Sequence, residues 1–205
     1  SGKKAKLLIK NNDEYRINIK SILKELSPKQ LLYELIFDFG FHDIDAVFKS
    51  LFSSSGKEFH SQDYYMIKDR TDLIISKYIM DDIVTINKRT THINKPFVIN
   101  FSVSSISKFE FIKKQSNKIM HMDYDRLKFP LLMRPWKKGD KFIPLGMKET
   151  KKISDYFIDN KFSLIQKKKA RLLISNNNIV CIIGNRLDDR FKLVENSKKV
   201  YIVNL

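Results

Sequence analysis

The sequence predicts an α+β protein: a helical hairpin region, then a mixed β-rich region, then a compact C-terminal α+β domain. Three observations carry that prediction. Apolar residues recur at helical spacing between residues 28 and 52. From Phe59 the period becomes that of strands. Turn residues then gather late, for residues 130–146 hold three of the five prolines and two of the six glycines.

The elements follow in order. In "SPKQLLYELIFDFGF", Ser27 predicts an N-cap, Pro28 the first helical position, and Gln30 the partner in a capping box. Leu31, Leu32, Leu35, Ile36 and Phe39 form one apolar stripe, and Gly40 supplies a left-handed stop. "HDIDAVFKSLFSSSG" predicts a second helix with Ile44, Val47, Phe48, Leu51 and Phe52 on one face. The pair is a packed helical hairpin or a DNA-reading helix-turn-helix; Asp43 and Asp45 on the polar face would repel phosphates. "YYMIKDRTDLIISK" reads as two strands around a polar turn, and "DIVTINK", "FVINFSV" and "KIMHMDY" continue the strand pattern. Thr150 predicts the cap of a helix over 151–159, with Ile153, Tyr156 and Phe157 sharing a face. Ser163 and Gln166 form a second capping box. "ARLLISNNNIVCIIG" reads as a hairpin turning at Asn176 to Asn178, with Ile179 to Ile183 buried on both faces. "KVYIVNL" closes the chain as a strand.

Composition bounds the function. A chain of 205 residues that is 42% hydrophobic and 12% aromatic has material for a real core. No apolar run approaches the ~20 residues of a membrane span, and the polar, lysine-rich start carries no signal peptide. One cysteine, Cys181, excludes an internal disulfide and fits a reducing compartment, so a cytoplasmic protein is expected. The Ser1-Gly2 start, with no methionine, reads as an expression scar ahead of a fragment of a longer protein.

The net charge is +16, unevenly spread. Residues 128–205 hold 18 Lys/Arg against 7 Asp/Glu, and residues 1–127 hold 21 against 16. Charge and the Pro130 punctuation place a boundary there, giving a linking region over 1–127 and a basic domain over 128–205. A field concentrated in one part of a chain suggests a polyanion, most often nucleic acid. A genome rich in A and T also inflates Lys, Asn and Ile, but explains the asymmetry less well.

No catalytic or metal site is visible. The histidines lie at least 18 residues apart, and with one cysteine they offer no metal-ligand spacing. Cys181 lies in the most apolar run, where a thiol is an inert packing group. Asp188 and Asp189, in "NRLDDRFK", stand among Arg186, Arg190 and Lys192, and read as acids that orient the arginines. In the stretch from Arg134 to Lys161, Lys151 and Lys152 are expected in the first turn of a helix. Cations there oppose the helix dipole unless they share an anion with the free N–H groups. Gly139 and Gly146 permit tight turns, while Pro135 and Pro144 stiffen the loop. Trp136 is a lid on the core or a stacking face for a nucleotide, with the lid favoured beside proline.

"FPLLMRPWKKGDKFIPLGMKETKKISDYFIDNK" followed by "LLISNNNIVCIIGNRLDDRFK" closely resembles the C-terminal domain of the tRNA(Ile)-lysidine synthetase family. The family pattern is met at Arg134, Trp136, Gly139 to Met147, Lys151 to Phe157 and Gly184 to Phe191. "LLYELIFDFGF" and "SGKEFHSQDYYMIKDR" look like its linking helical domain. The family's ATP-binding signature, Ser-Gly-Gly-x-Asp-Ser, is nowhere in the chain. The resemblance implies a parent enzyme that uses ATP, with magnesium, to adenylate the wobble cytidine of tRNA(Ile), whereupon lysine displaces AMP. It implies that this chemistry belongs to an N-terminal ATP-pyrophosphatase-type domain outside the chain, so the chain itself is expected to be inactive and to need no cofactor. The expected role is to bind tRNA(Ile) through Arg134, Lys137, Lys138, Lys141, Lys151, Lys152, Arg186, Arg190 and Lys192. Trp136, Gly139, Asp140, Gly146, Ser154, Asp155, Asp188 and Asp189 are expected to support them. The alternatives are a DNA-binding regulator using the 28–52 hairpin, or a structural domain.

Overall fold

The computed structural model describes residues 7–11, 14–78, 82–106 and 118–205, so the Ser1-Gly2 start lies outside the described residues. It forms two compact units, Ser1–Ile79 and Met80–Leu205. The protein is α+β throughout.

The first unit is an antiparallel sheet covered by helices. Its strands are β1 (Leu8–Asn11), β2 (Glu14–Asn18), β3 (Glu58–His60), β4 (Tyr64–Lys68) and β5 (Asp72–Lys77), in the order β1-β2-β5-β4-β3. Helices α1 (Ile19–Leu23), α2 (Pro28–Ile36) and α3 (Ile44–Ser50) lie between β2 and β3 in sequence. The stripe of α2 buries Leu32, Leu35 and Ile36 against Ile17, Val47, Leu51 and Met66. Pro28 stands at the helix start, but Ser27 makes no side-chain cap, so the capping box expected there is absent. The Ser27 backbone (φ −129, ψ 70) departs from the extended form that aims a capping oxygen at the helix. Gly40 takes φ +79 and ends the following 3-10 turn. Helix α3 is capped by Asp43, whose Oδ1 accepts from Ala46 N at 3.0 Å. It stops at Ser50, so Phe52 falls off the predicted apolar face and is 68% exposed.

The second unit is two larger sheets, a two-stranded ribbon and a helical layer. Its elements are β6 (Val84–Ile86), β7 (His92–Ile93), β8 (Ile99–Ser105), β9 (Ile119–Asp123), β10 (Leu131–Pro135), β11 (Lys141–Phe142) and β12 (Lys151–Lys152). They continue with α4 (Ile153–Asp159), α5 (Leu164–Lys169), β13 (Arg171–Ser175), β14 (Asn178–Ile182), β15 (Arg186–Leu187) and β16 (Lys199–Asn204). One sheet runs β15-β14-β13-β10-β6 and the other β7-β8-β16-β9. Met133, Leu173 and Cys181 of the first pack against Phe101, Met122 and Tyr201 of the second. The opposite face of the first sheet, Leu172, Ile174, Ile179 and Ile182, packs on Phe142, Ile153 and Phe157. Strands β13 and β14 are therefore buried on both sides, as the unbroken apolar run from Ile179 to Ile183 predicts for β14. Asn176 and Asn177 turn their hairpin with φ of 45 and 64, a conformation Asn adopts at low cost. Burial pushes the Cys181 thiol up to about 12, which makes it inert.

The charge boundary at 127/128 falls inside this unit. Strand β16 pairs with β8 and β9, both before that boundary, so packing joins what composition separates.

Candidate nucleic-acid interface

The basic stretch begins where β10 leaves the sheet. Arg134 grips Asp140 with both terminal nitrogens, each at 2.8 Å, and the pair is 18% and 7% exposed. The same carboxylate accepts from Lys137 N at 2.7 Å. Asp140 N in turn donates to Lys137 O at 3.1 Å, which closes a tight turn over 137–140. Gly139 sits in that turn at φ +95 with open space where a Cβ would point. Burial pushes the Asp140 carboxyl up, but the Arg134 bond, the Lys137 N–H and both charges outweigh it and hold the group below its usual value. Arg134 is thus a brace, and the turn lifts exposed Lys137 and Lys138 into solvent.

The predicted first turn of the next helix is a strand. Lys151 and Lys152 form β12, paired antiparallel with β11 so that Lys141 faces Lys152 and Phe142 faces Lys151. Lys152 is the N-cap of α4, with extended backbone, and Thr150 caps nothing. Ladder pairing with β11 outcompetes one more helical turn, and Ile153 N already donates to Asp140 O at 2.9 Å. The anion site expected at this helix start is not built, because α4 is short and one of its free N–H groups is satisfied internally. Lys151 pairs with Asp159 at the far end of α4, while Ser154 donates to Asp155 in the first turn. Trp136 is a lid: its Nε1 donates to Lys167 O at 2.7 Å, and its ring meets Phe157 edge-on at 5.3 Å.

The second half of the surface is laced to the first. Asp188, fully buried, accepts from Ile143 N at 2.9 Å and from the Arg190 side chain at 2.9 and 2.8 Å. That bond is the main reason the Arg190 guanidinium is raised above its usual value. Asp189 accepts from Gly146 N at 2.9 Å and from Lys192 Nζ at 2.9 and 3.0 Å, and these bonds lower its pKa. Arg186 reaches across to Leu145 O instead of binding either acid. Burial pushes the Tyr156 phenol up, and the charges of Arg186 and Lys151 oppose it, so both cations lie in electrostatic reach of one hydroxyl.

The nine predicted cations therefore divide. Arg134, Lys151, Arg190 and Lys192 are held in ion pairs. Lys137, Lys138, Lys141, Lys152 and Arg186 are exposed, and among the described residues none of their side chains forms an ion pair with a carboxylate within 4 Å, although the Lys137 charge acts on Asp140. The pattern of paired lysines does not point to Lys148, which is exposed in the loop between them. Its lack of a paired lysine neighbour hides it.

Two family models match these units separately: the TilS substrate binding domain over residues 10–78 and the TilS substrate C-terminal domain over 131–204. The chain belongs to the tRNA(Ile)-lysidine synthase family. The tRNA(Ile)-lysidine synthase of Parabacteroides distasonis is 38% identical over 199 residues, covering 92% of this chain and 44% of the relative. That of Bacteroides thetaiotaomicron is 32% identical over 191 residues, covering 92% and 42%. The chain thus spans less than half the length of these lysidine synthases. A solved structure, a TILS C-terminal domain, covers 59% of the chain and 88% of its own at a TM-score of 0.45 and 14% identity.

Proposed function

We propose that this chain grips tRNA(Ile) for a tRNA(Ile)-lysidine synthase, through phosphates and the shape of A-form RNA, with little base readout. One observation carries this reading: Lys141 and Lys152 face each other directly on a two-stranded ribbon with no carboxylate partner among the described residues. Like charges in that register destabilise a ribbon unless a polyanion occupies it. Lys137, Lys138 and Arg186 extend the same field. The DNA-reading alternative gains no support, since Asp43 caps α3 and Asp45 pairs with Lys29 at 2.6 Å.

The chemistry would lie in an ATP-pyrophosphatase-type domain of the parent: ATP, with magnesium, activates C2 of the wobble cytidine, and lysine then displaces AMP to give lysidine. Among the described residues no group of three or more His, Cys, Asp or Glu is placed to hold a metal ion, and no chemical step is assigned to this chain. The chain alone should show neither lysidine synthesis nor ATP–pyrophosphate exchange. No described helix is long and apolar enough to cross a membrane, and a cytoplasmic site of action accords with a tRNA substrate.

The test is titration with tRNA(Ile), a second tRNA, duplex DNA and heparin at two salt concentrations. Tight tRNA binding with a steep salt slope and modest discrimination among tRNAs is expected. Binding that is flat with salt, or equal for heparin and tRNA, would overturn the reading.

A further inference from the structure

The loop after β11 carries an apolar residue where packing gives no reason for one. Met147 is 44% exposed. Leu145, two residues earlier, packs against the core between the sheets, so the chain turns outward at Gly146. That turn is rigid. Leu145 N donates to Leu187 O at 2.9 Å, and Met147 N to Pro144 O at 2.8 Å. Gly146 N donates to Asp189 Oδ1 at 2.9 Å. Gly146 adopts φ +84, and nothing lies within 4 Å of where its Cβ would be, so a ligand has close access to the backbone beside Met147. Lys148 follows in sequence, exposed, and Arg186 is anchored on Leu145 O. The tip is an exposed thioether on a backbone held by hydrogen bonds, with Lys148 next in sequence and Arg186 bonded to Leu145 O, and neither cation has a carboxylate partner among the described residues.

We propose that Met147 is a nucleobase contact: its thioether lies against the face of an exposed base of the bound RNA while Lys148 and Arg186 take the flanking phosphates. This rests on the tRNA-binding reading above and adds to it a contact that is not ionic. The charge pattern selects the occupant, since an apolar tip beside cations matches a flat aromatic face beside anions. A thioether on a π-face is a favourable contact. Holding the tip by backbone bonds removes the ordering cost that a mobile loop would bear on binding.

The test uses the 205-residue chain with methyl-labelled methionine, titrated with tRNA(Ile). One methyl resonance, identified by its loss in Met147→Ala, should move upfield as a base ring current reaches it. Met147→Ala should weaken tRNA binding by roughly three- to tenfold, with an unchanged salt slope, and Met147→Leu should restore most of it. Unchanged melting of both variants would show that the loss is not one of folding. A Met147 methyl unmoved at saturating tRNA, or a Met147→Ala variant that binds as tightly as the parent, would sink the base contact and leave the phosphate grip standing. A reduced salt slope in Met147→Ala would also overturn it, by making Met147 a support for the cations. Absence of any tRNA binding would remove both readings.

Discussion

At the scale of single residues, sequence shows where cations gather but not which are free. Arg134 and Lys141 look equivalent in the string, yet one is clamped on Asp140 and the other faces Lys152 across a ribbon. Pair partners are set by tertiary geometry, which no local pattern encodes. Replacing Lys141 and Lys152 together with Ala should weaken tRNA binding by about 1–3 kcal/mol. It should lower the salt slope by about 0.7–0.9 for each phosphate that the variant no longer neutralises. The melting temperature should hold or rise slightly, because a repulsive cross-strand pair is gone. Early melting with normal binding would make these lysines structural. Asp140→Asn should do the opposite, costing about 1–3 kcal/mol of stability by leaving Arg134 without its charge partner. Its pH dependence follows from the lowered pKa of Asp140. A depressed carboxylate stabilises fully above its unfolded value of about 3.9 and loses that contribution as pH falls through the folded value. The stability gap between parent and Asp140→Asn, read from melting against pH, should therefore be widest near neutrality and close in acid.

At the scale of elements, signals that depend on the chain's own backbone are legible. The Asn-Asn hairpin, the Ser163–Gln166 capping box and the doubly buried β14 all follow from local sequence. The same capping signature fails at Ser27, whose backbone leaves the extended form and whose side chain makes no cap bond. Local pattern starts helix α4 two residues too early, because a two-residue ribbon has too few residues to show a strand period. The clearest element-level device is Asp188, which joins the 143–147 loop to the 186–190 turn with no exposed surface of its own. Asp188→Ala should cost about 1–3 kcal/mol, since it leaves Ile143 N unbonded, whereas the half-exposed Arg190 can turn its charge to water. Thermal melting would read this directly. Exchange protection at Ile143 N should also fall, and a variant that keeps both stability and protection would show that the lacing is unimportant.

At the scale of the whole molecule, charge and folding follow different divisions. The basic field begins near residue 128, but the second compact unit begins at Met80. The strand that closes it is the last one, β16, which stands between β8 and β9. Such pairing across long separations is invisible to patterns read in short windows. Truncation before Lys199 should therefore unfold the second unit, while the first, built only from residues before Ile79, keeps its own transition. Calorimetry of the truncated chain would check this, and a surviving second transition would show that β16 is dispensable. The buried thiol of Cys181 has a practical corollary. The folded protein is in effect already free of reactive cysteine, so a single cysteine introduced at Lys138 would accept a crosslinker or spin label with no background. The orientation of bound RNA could then be mapped without first redesigning the core.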